Sequence, residues 1–194
     1  MEEKFWNSGK VEEVKEILRN NPRFNINWKN KRFGGWTALH AASTYGHDSI
    51  VSILLAHPDI DVNLKDRYGR TPFWHACWNG RTSCVRLLLE DQRVKVHEPD
   101  NKQNPLWRAA DNAHLDIIKW WIASGREMDL DEPEDWKTDF MGIKEKNRTE
   151  VVTLLERFKS DVTKTRSEVR KELGITGQYS LIHFIHFFIA FLDW

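Results

Sequence analysis

Histidine and cysteine are the residue types in this chain that could bind a metal ion or act as nucleophiles. The 194 residues include eight histidines and two cysteines. A closed zinc site needs about four ligands in tetrahedral geometry, and neither a CxxC nor an HExxH spacing occurs. His183 and His186 could share one face of a helix, but two histidines alone make a weak site. We therefore expect structural histidines, with no metal site and no cofactor.

The sequence also lacks the patterns that accompany enzymatic chemistry. A nucleophilic cysteine needs a neighbouring base in an exposed, electropositive pocket. Cys77 and Cys84 instead fall at positions that the other copies of the repeat described below fill with small or apolar residues, so we interpret both as buried core residues with inert thiols. No GxxxxGK[ST] or GxGxxG loop is present to cradle a phosphate. The sequence therefore predicts a protein that is not an enzyme.

Composition narrows the class of partner. Lysine and arginine number 29, and aspartate and glutamate also number 29, so the formal net charge is zero. Because a general polyanion binder carries a basic surplus, we expect no nucleic-acid partner. No apolar run reaches the roughly 18 residues of a membrane-spanning helix, and the acidic, polar start predicts no secretory signal peptide. With two cysteines and no disulfide framework, we expect a reducing compartment, the cytoplasm or the nucleus.

The elements that position these residues come from an internal repeat. Three stretches align from Thr37, Thr71 and Asn104, and a weaker fourth copy starts at Thr138. The starts lie 34, 33 and 34 residues apart, and FWNSGKVEEVKEIL, which precedes the first copy, matches only the second half of the unit. A period in this range is typical of a solenoid, in which each unit buries its apolar face against its neighbours. The alignment also makes four residues equivalent that we expect to be buried: Leu39, Phe73, Leu106 and Phe140.

Each copy predicts two short antiparallel helices. Thr71 is a good N-cap, and Pro72 suits the first helical position, where no backbone donor is missed. Gly46 and Gly80 fall where the first helix must end in a left-handed conformation. The second helix carries apolar residues at helical spacing. A polar stretch rich in Asn, Asp and Gly follows and suits a hairpin-like connection.

The repeating unit resembles the ankyrin repeat. The resemblance is carried by TALHAA from Thr37, by Gly46-His47, by Asp61-Val-Asn63 and by TPF from Thr71, and it covers about residues 4–158. It implies an all-α fold, an ankyrin-repeat solenoid of helix-turn-helix units with projecting β-hairpin fingers and C-terminal capping helices. It also implies the family's role in protein–protein binding.

Several residues depart from the pattern of that family. Trp74 and Trp107 replace the motif histidine, and Ala113 replaces the glycine that ends the first helix. In the fourth copy, Gly142 and Ile143 stand where small alanines belong, and the third connection is one residue short. We therefore expect the later repeats to be looser, or their fingers to differ in shape.

The repeat boundaries give a domain organisation. We predict an ankyrin-repeat domain over residues 1–159, with a partial repeat at 4–34, repeats at about 35–68, 69–101 and 102–135, and a degenerate repeat at 136–159. A capping helix follows over residues 160–174, with Ser160 or Asp161 as its N-cap and Gly174 beyond its end.

The last predicted element is an apolar C-terminal helix within residues 175–194, helical from about Tyr179 to Leu192. As a helix, the fourteen residues from Leu181 to Trp194 would reach only about 21 Å. This is short of the roughly 30 Å of a bilayer's hydrocarbon layer. Three roles stay open, ranked in this order: packing on the last repeat, pairing with a second copy to form a homodimer, and lying in a membrane interface.

Charge varies along the predicted fingers. The formal charge is +3 over residues 29–32, +2 over 65–70, −1 over 98–102 and −4 over 129–137. A field of this kind steers encounter and sets the orientation of a partner more than it sets affinity. Our hypothesis is a protein partner with an extended segment that is acidic and apolar where it meets the first two fingers.

Two alternatives to this hypothesis remain. The finger charges could be ordinary solvated loop charges, and the chain could be a membrane-associated adaptor anchored by its C-terminal helix. By the family pattern, the fingers and first helices line the concave side of the solenoid, and the variable positions there are the candidate partner-binding residues: Trp36, Thr44, Tyr45, Arg67, Tyr68, Arg70, Trp78, Asn79, Asp111 and Asn112.

Overall fold

The structure, a computed structural model, describes residues 9–96, 104–128 and 145–175. Within these ranges it contains nine α-helices, one short 3₁₀ helix and no β-strand, which confirms the predicted all-α class. The chain divides into two compact units, Met1–Lys95 and Val96–Trp194. The predicted repeat boundaries stay predictions.

The described residues of the first unit form five α-helices: α1 (Val11–Asn20), α2 (Ala38–Tyr45), α3 (Asp48–Ala56), α4 (Pro72–Trp78) and α5 (Thr82–Glu90). Helices α2 and α3 pack on each other as one pair, and α4 and α5 pack on each other as the next. The first helices of the pairs pack on each other, as do the second helices, and α1 packs on α3. Equivalent helices of successive repeats therefore stack on each other, which is the arrangement that the 34-residue period predicts.

Side chains of the repeat motif fix the helix boundaries. Thr37 accepts a hydrogen bond from the backbone N–H of His40, whose ring in turn accepts one from the N–H of Thr37, so the two form a capping box. Thr71 accepts from the N–H of Trp74, with Pro72 in the first turn of α4. Helix α2 ends at Gly46, which has φ of 82°. The predicted caps at Thr71 and Gly46 are confirmed.

Asparagines join successive connections between the helix pairs. Asn27 donates to the backbone carbonyl of Asp59 and accepts from the N–H of Asp61. One repeat later, Asn63 makes the same two bonds with the carbonyl of Arg93 and the N–H of Lys95. These paired bonds satisfy backbone groups that the helices leave free, and they explain why the DVN motif ends in asparagine.

The connections between helix pairs project as turns, and the expected β-hairpins are not confirmed. Among the described residues, the β pairing consists of a single antiparallel bridge between Asn30 and Trp36. The side chain of Asn30 takes the N–H groups of Arg32 and Phe33, and the carboxylate of Asp66 takes those of Tyr68 and Arg70. Because side chains occupy these donors, the turns close without a strand pair. The predicted third and fourth fingers lie largely outside the described residues.

The second unit contains four described helices: α6 (Pro105–Asp111), α7 (Leu115–Ser124), α8 (Glu145–Ser160) and α9 (Val162–Glu172). Asn104 caps α6 by accepting from the N–H of Leu106. Helices α6 and α7 pack on each other and on α8, while α9 packs on α7 and α8. Leu106 is fully buried, as are Leu39 and Phe73 in the first unit. These three core predictions are confirmed, and the fourth, Phe140, lies outside the described residues.

Helix α9 occupies the place predicted for a capping helix. Asp161 is its N-cap, accepting from the N–H of Lys164, and Gly174 follows its end with φ of 68°. Arg166 and Arg170 donate from Nε to the carbonyls of Ile122 and Ala123, at 3.0 and 2.7 Å. These carbonyls belong to the last turn of α7 and have no partner within that helix. The structure thus has a helix at Val162–Glu172, while its role as a terminal cap stays a prediction.

The predicted apolar C-terminal helix, from residue 179 onward, lies outside the described residues. So do Gly142 and Ile143 of the degenerate repeat. Of the helices that the structure describes, none combines the length and apolar character that crossing a membrane requires.

Candidate partner-binding surface

Eight of the ten candidate residues lie in the first unit, and the other two, Asp111 and Asn112, lie in the second. Those in the first unit sit on two kinds of element. Thr44, Tyr45, Trp78 and Asn79 are at the C-terminal ends of α2 and α4, and the others belong to the connections that precede these helices. We call residues 29–36 the first finger and residues 65–70 the second finger.

Arginine and aromatic side chains of the second finger and α4 form a continuous run of contacts. The guanidinium carbons of Arg67 and Arg70 lie 4.6 and 4.9 Å from the centroid of the Tyr68 ring. That of Arg70 also lies 4.4 Å from the Trp74 ring, and Trp74 stacks on Trp78 at 5.2 Å with 12° between their planes. We call these five residues the arginine–aromatic ladder.

The ladder is anchored in the core and open to solvent at both ends. Trp74 is only 3% exposed, whereas Tyr68 and Trp78 are 53% and 41% exposed. Each cation–π contact contributes about 0.5–1 kcal/mol at an exposed site, and the aromatic stack contributes a similar amount. The exposed side chains are therefore held against a fixed buried ring.

A buried carboxylate sets the conformation of the second finger. Asp66 is 6% exposed, and its Oδ1 accepts from the N–H groups of Tyr68 and Arg70 at 2.8 and 3.0 Å. Its Oδ2 accepts from Nε2 of His75 at 3.0 Å. Burial by itself raises the pKa of Asp66, but these hydrogen bonds outweigh it and hold the pKa below its usual value. A charged Asp66 therefore orients the two ladder residues on the same finger.

Two buried histidines lie beneath the fingers. The His75 ring contacts the rings of Trp36 and His40 edge-on, at 4.8 and 5.6 Å. Burial lowers the pKa of His40 to about 4, although its hydrogen bond to the carbonyl of Arg70 acts in the opposite direction. Burial also lowers the pKa of His75, against the opposing effect of Asp66. Trp36, half-buried, thus packs against a neutral imidazole.

The first and second fingers are joined to each other. The N–H of Arg67 donates to the carbonyl of Gly34 at 2.8 Å, and Lys29 donates from Nζ to the carbonyl of Lys65 at 2.7 Å. Gly34 has φ of 64°, and a Cβ there would lie 3.3 Å from Nε of Arg67. A glycine at this position therefore allows the Arg67 side chain to lie across the first finger.

Four of the remaining candidates form hydrogen bonds or ion pairs near the C-terminal ends of their own helices. Thr44 donates its hydroxyl to the carbonyl of His40 at 2.8 Å, and Asn79 donates its amide to the carbonyl of His75 at 2.8 Å. In the second unit, Asn112 makes the equivalent bond to the carbonyl of Arg108, and Asp111 forms an ion pair with that arginine. These polar groups stabilise their own helices. Tyr45, in contrast, is 44% exposed.

Sequence reasoning missed three aromatic residues of this surface. Trp28 and Phe33 are 43% and 46% exposed in or beside the first finger, and Trp74 is the buried anchor of the ladder. The available signal for Phe33 was an aromatic residue inside a polar turn. The signal for Trp74 was that it replaces the motif histidine, which by itself does not indicate a contact with arginine.

The two cysteines, considered above as possible nucleophiles, lie in the core. Cys77 and Cys84 are both fully buried. Burial raises the pKa of both thiols, that of Cys84 to about 12, which disfavours the nucleophilic thiolate. Across the described ranges, no three His, Cys, Asp or Glu side chains are grouped so as to hold a metal ion.

A comparison with known protein families decides the family. The profile for ankyrin repeats (three copies) matches residues 5–100 and, in a second alignment, residues 57–132. This chain belongs to the ankyrin-repeat family.

Curated relatives match this ankyrin-repeat chain over part of its length. SMC5-SMC6 complex localization factor protein 1 from Bos taurus is 35% identical over 101 residues, which cover 52% of this chain and 10% of that protein. Rabankyrin-5 from Homo sapiens is 31% identical over 90 residues (46% and 8%). Tyrosine-protein kinase HTK16 from Hydra vulgaris is 30% identical over 130 residues (63% and 17%). The matched part thus spans less than a fifth of each of these relatives.

The ankyrin-repeat register shows what is unusual about the ladder. His40, at the motif position, accepts from Thr37 through Nδ1 and donates from Nε2 to the carbonyl of Arg70. Trp74 holds the same place one repeat later, and its buried indole N–H has no hydrogen-bond partner. The second repeat therefore loses the hydrogen bonds of the motif histidine and gains a ring that stacks between Arg70 and Trp78. Departures of this kind concentrate at functional sites.

Proposed function

We propose that this chain is a non-enzymatic protein-interaction module that binds its partner on the surface formed by the ladder, Trp36 and Tyr45. Ankyrin repeats generally mediate protein–protein interaction. The arrangement of the first unit supports the choice of the residues that contact the partner. A reducing compartment such as the cytoplasm or the nucleus is part of the same proposal.

The observation that carries this proposal is the distribution of exposed aromatic side chains. Among the described residues, the large apolar side chains with high exposure include five aromatics, all in the first unit: Trp28, Phe33, Tyr45, Tyr68 and Trp78. Among the described residues of the second unit, the exposed large apolar side chain is that of Val162. Aromatic residues held in place and open to solvent are the usual anchors of protein interfaces, and a concentration of them marks an interaction surface.

The proposal that the chain binds without catalysing is supported by the state of its titratable groups. The buried carboxylate of Asp66 is engaged by three donors, and the thiols are buried. Some relatives are enzymes by name, including the kinase above, but the matched part spans 17% of that kinase. The shared part is thus consistent with an interaction region.

Site-specific photo-crosslinking tests the proposed surface. A benzophenone amino acid is placed at Tyr45, at Trp78, or at the exposed Glu16 of α1 as a control. We expect the same protein to be captured from the positions at Tyr45 and Trp78, and not from Glu16. In addition, Trp78→Ala should reduce capture from the position at Tyr45. Equal capture from all three positions, or none from the first two, contradicts the proposal.

A membrane-associated adaptor is the second candidate. It is favoured by the run from Leu181 to Leu192, in which every residue except His183 and His186 is apolar. Co-sedimentation of the whole chain with liposomes, compared with a chain ending at residue 175, tests it. Loss of co-sedimentation in the shorter chain supports the anchor, whereas a full chain that remains in the supernatant excludes it.

A further inference from the structure

The ladder lies in the most basic part of the first unit. The first finger carries a formal charge of +3 and the second +2. The acidic residue within these fingers is Asp66, whose carboxylate is buried and accepts hydrogen bonds from two backbone N–H groups and His75. The cationic groups of the fingers, in contrast, are on exposed or half-buried side chains. The surface around the ladder is thus positively charged and aromatic at once.

We propose that the ladder binds a peptide segment that carries oxyanion side chains, carboxylate or phosphate, between apolar or aromatic residues. This inference rests on the proposed function and names the chemistry of the partner segment. Arg67 and Arg70 contact the oxyanions, while Tyr68 and Trp78 contact the apolar side chains.

The geometry of the arginines supports this assignment. A guanidinium that stacks on a ring directs its N–H donors outward in its own plane, and a planar fork of donors matches the two oxygens of a carboxylate or phosphate. Arg67 is further fixed because it donates from Nη2 to the hydroxyl of Tyr68. An arginine side chain otherwise loses much rotamer entropy when it is immobilised. Because the ladder already restricts both side chains, less of this entropy is lost on binding.

A peptide fits these observations better than a single-stranded nucleic acid. Stacking platforms for nucleic acid expose their aromatic faces to successive bases, but the central ring of this ladder, Trp74, is buried between Arg70 and Trp78. The whole chain also has no net charge, whereas a general polyanion binder carries a basic surplus. The net positive charge of the two fingers suits a short acidic segment.

Synthetic peptides test this proposal on the whole chain. The probe is a fluorescent 12-residue peptide in which Glu alternates with Leu and Phe. The matched peptides carry Gln or phosphoserine in place of Glu, and a 12-nucleotide oligo-dT represents nucleic acid. We expect the Glu peptide, the phosphoserine peptide or both to bind at least about tenfold more tightly than the Gln peptide in 50 mM salt, because hydrogen bonds to charged groups are stronger than those to neutral amides. Which of the two binds more tightly identifies the source of the oxyanion.

Variants of the ladder locate the binding. Arg67→Gln and Arg70→Gln, singly and together, should reduce the preference for oxyanion over Gln peptide, and the double variant should abolish it. Arg19→Gln, an exposed arginine on α1, is the matched control and should retain the preference. A melting temperature for each variant separates loss of binding from loss of folding. Equal binding of the charged and Gln peptides, a preference that survives in the double variant, or tighter binding of oligo-dT overturns the inference.

The crosslinking experiment keeps this inference separate from the proposed function. If the positions at Tyr45 and Trp78 capture one partner and the crosslinked segment carries no acidic or phosphorylated residue, the inference fails while the proposed function stands. If those positions capture no specific protein, the proposed function fails, whatever the peptides show.

Discussion

His40 is the residue that connects the fold of the first repeat to the second finger. Its ring is fully buried and neutral, because Nδ1 accepts from Thr37 while Nε2 donates to the carbonyl of Arg70. Protonation would place a charge in the core and would remove the acceptor at Nδ1. The bond from Nε2 ties the backbone of Arg70 to this buried ring, whereas protonation would act on the cap at Thr37.

A pH dependence of stability follows from His40. Burial lowers its pKa from 6.5 to about 4, so the unfolded chain binds the proton at a higher pH than the folded chain. Stability is therefore fully present above pH 6.5 and falls as the pH drops from 6.5 towards 4. We expect His40 alone to account for a loss of about 2 kcal/mol between pH 7.5 and pH 5. Urea denaturation at pH 7.5, 6 and 5 measures the loss.

Other groups affect the same titration in known directions. Burial lowers the pKa of His75 as well, which adds to the loss over the same pH range. The folded pKa of Asp66 is below its usual value of 3.8, so Asp66 reduces stability only at a pH below this range. The variant His40→Gln should be less stable at pH 7.5 and should show a shallower dependence. An equally steep dependence in that variant would assign the effect to other groups.

Ser43 gives a second prediction at the scale of one residue. Its hydroxyl is fully buried in α2 and has no hydrogen-bond partner, and the equivalent positions hold Cys77 and Ala110. An unsatisfied buried hydroxyl costs about 1–3 kcal/mol. We expect Ser43→Ala to leave the free energy of unfolding unchanged or to raise it by about 1 kcal/mol. Thermal denaturation measures this.

The neighbouring threonine provides the control for that substitution. Thr44 donates its hydroxyl to the carbonyl of His40, so Thr44→Ala should lower stability by about 0.5–1.5 kcal/mol. A larger loss in Ser43→Ala than in Thr44→Ala would mean that the Ser43 hydroxyl is satisfied in solution.

At the scale of one element, the end of α6 differs from those of α2 and α4. Ala113 has φ of 54°, whereas the equivalent positions are Gly46 and Gly80 with φ of 82° and 68°. A left-handed conformation costs a residue with a Cβ about 1–2 kcal/mol, and glycine's greater freedom in the unfolded chain offsets part of the gain. We expect Ala113→Gly to raise stability by about 0.5–1 kcal/mol, measured as a higher thermal midpoint. Ala110→Gly, within α6, should lower it by about 1 kcal/mol; the same sign for both would contradict this account.

The packing of α6 gives a larger prediction. Leu106 is fully buried on that helix, which packs on α7 and α8. Leu106→Ala should therefore lower the free energy of unfolding by about 2–5 kcal/mol, the range for a core leucine. Val162→Ala, at a residue that is 40% exposed, is the control and should change it by less than about 1 kcal/mol. An unchanged melting temperature for Leu106→Ala would mean that the repeat register is wrong.

The helices could be predicted from sequence because their signals are local and periodic. Thr71, Gly46 and Asp161 act on backbone groups within four residues of themselves, so their effects do not depend on the rest of the fold. The hairpin fingers were expected by resemblance and are not confirmed, because Asn30 and Asp66 bind the N–H groups that a strand pair would use.

The ladder could not be predicted in the same way. Its five residues follow a sequence spacing of one to four, yet the contact between Arg70 and Trp74 joins a finger to the helix that follows it. That contact depends on the turn fixed by Asp66 and His75. The sequence shows that Trp74 replaces the motif histidine but carries no information about the side chain that covers its face. The candidate binding residues were chosen at the variable positions of the family pattern, and Trp28, Phe33 and Trp74 lie outside that set.

At the scale of the whole molecule, the neutral chain has charge that is unevenly distributed along its sequence. The first two fingers have +3 and +2, and the third and fourth predicted fingers have −1 and −4. Charges that remain exposed act mainly on the rate of association, whereas aromatic anchors act mainly on the rate of dissociation. The two contributions of the proposed surface can therefore be measured separately.

Kinetics with the oxyanion-bearing peptide that binds more tightly test this separation. Trp78→Ala should raise the dissociation rate about tenfold or more by removing an exposed anchor of the ladder, with little change in the association rate.

Lys31→Glu combined with Arg67→Glu should instead slow association. The difference from the unsubstituted chain should shrink between 20 and 300 mM salt, because the Debye length falls below about 8 Å above 0.15 M. Lys31→Glu alone isolates the long-range field, since Lys31 is an exposed first-finger residue outside the ladder. If Trp78→Ala changes only the association rate, or if the effect of Lys31→Glu does not depend on salt, the peptide does not bind along this edge of the first unit.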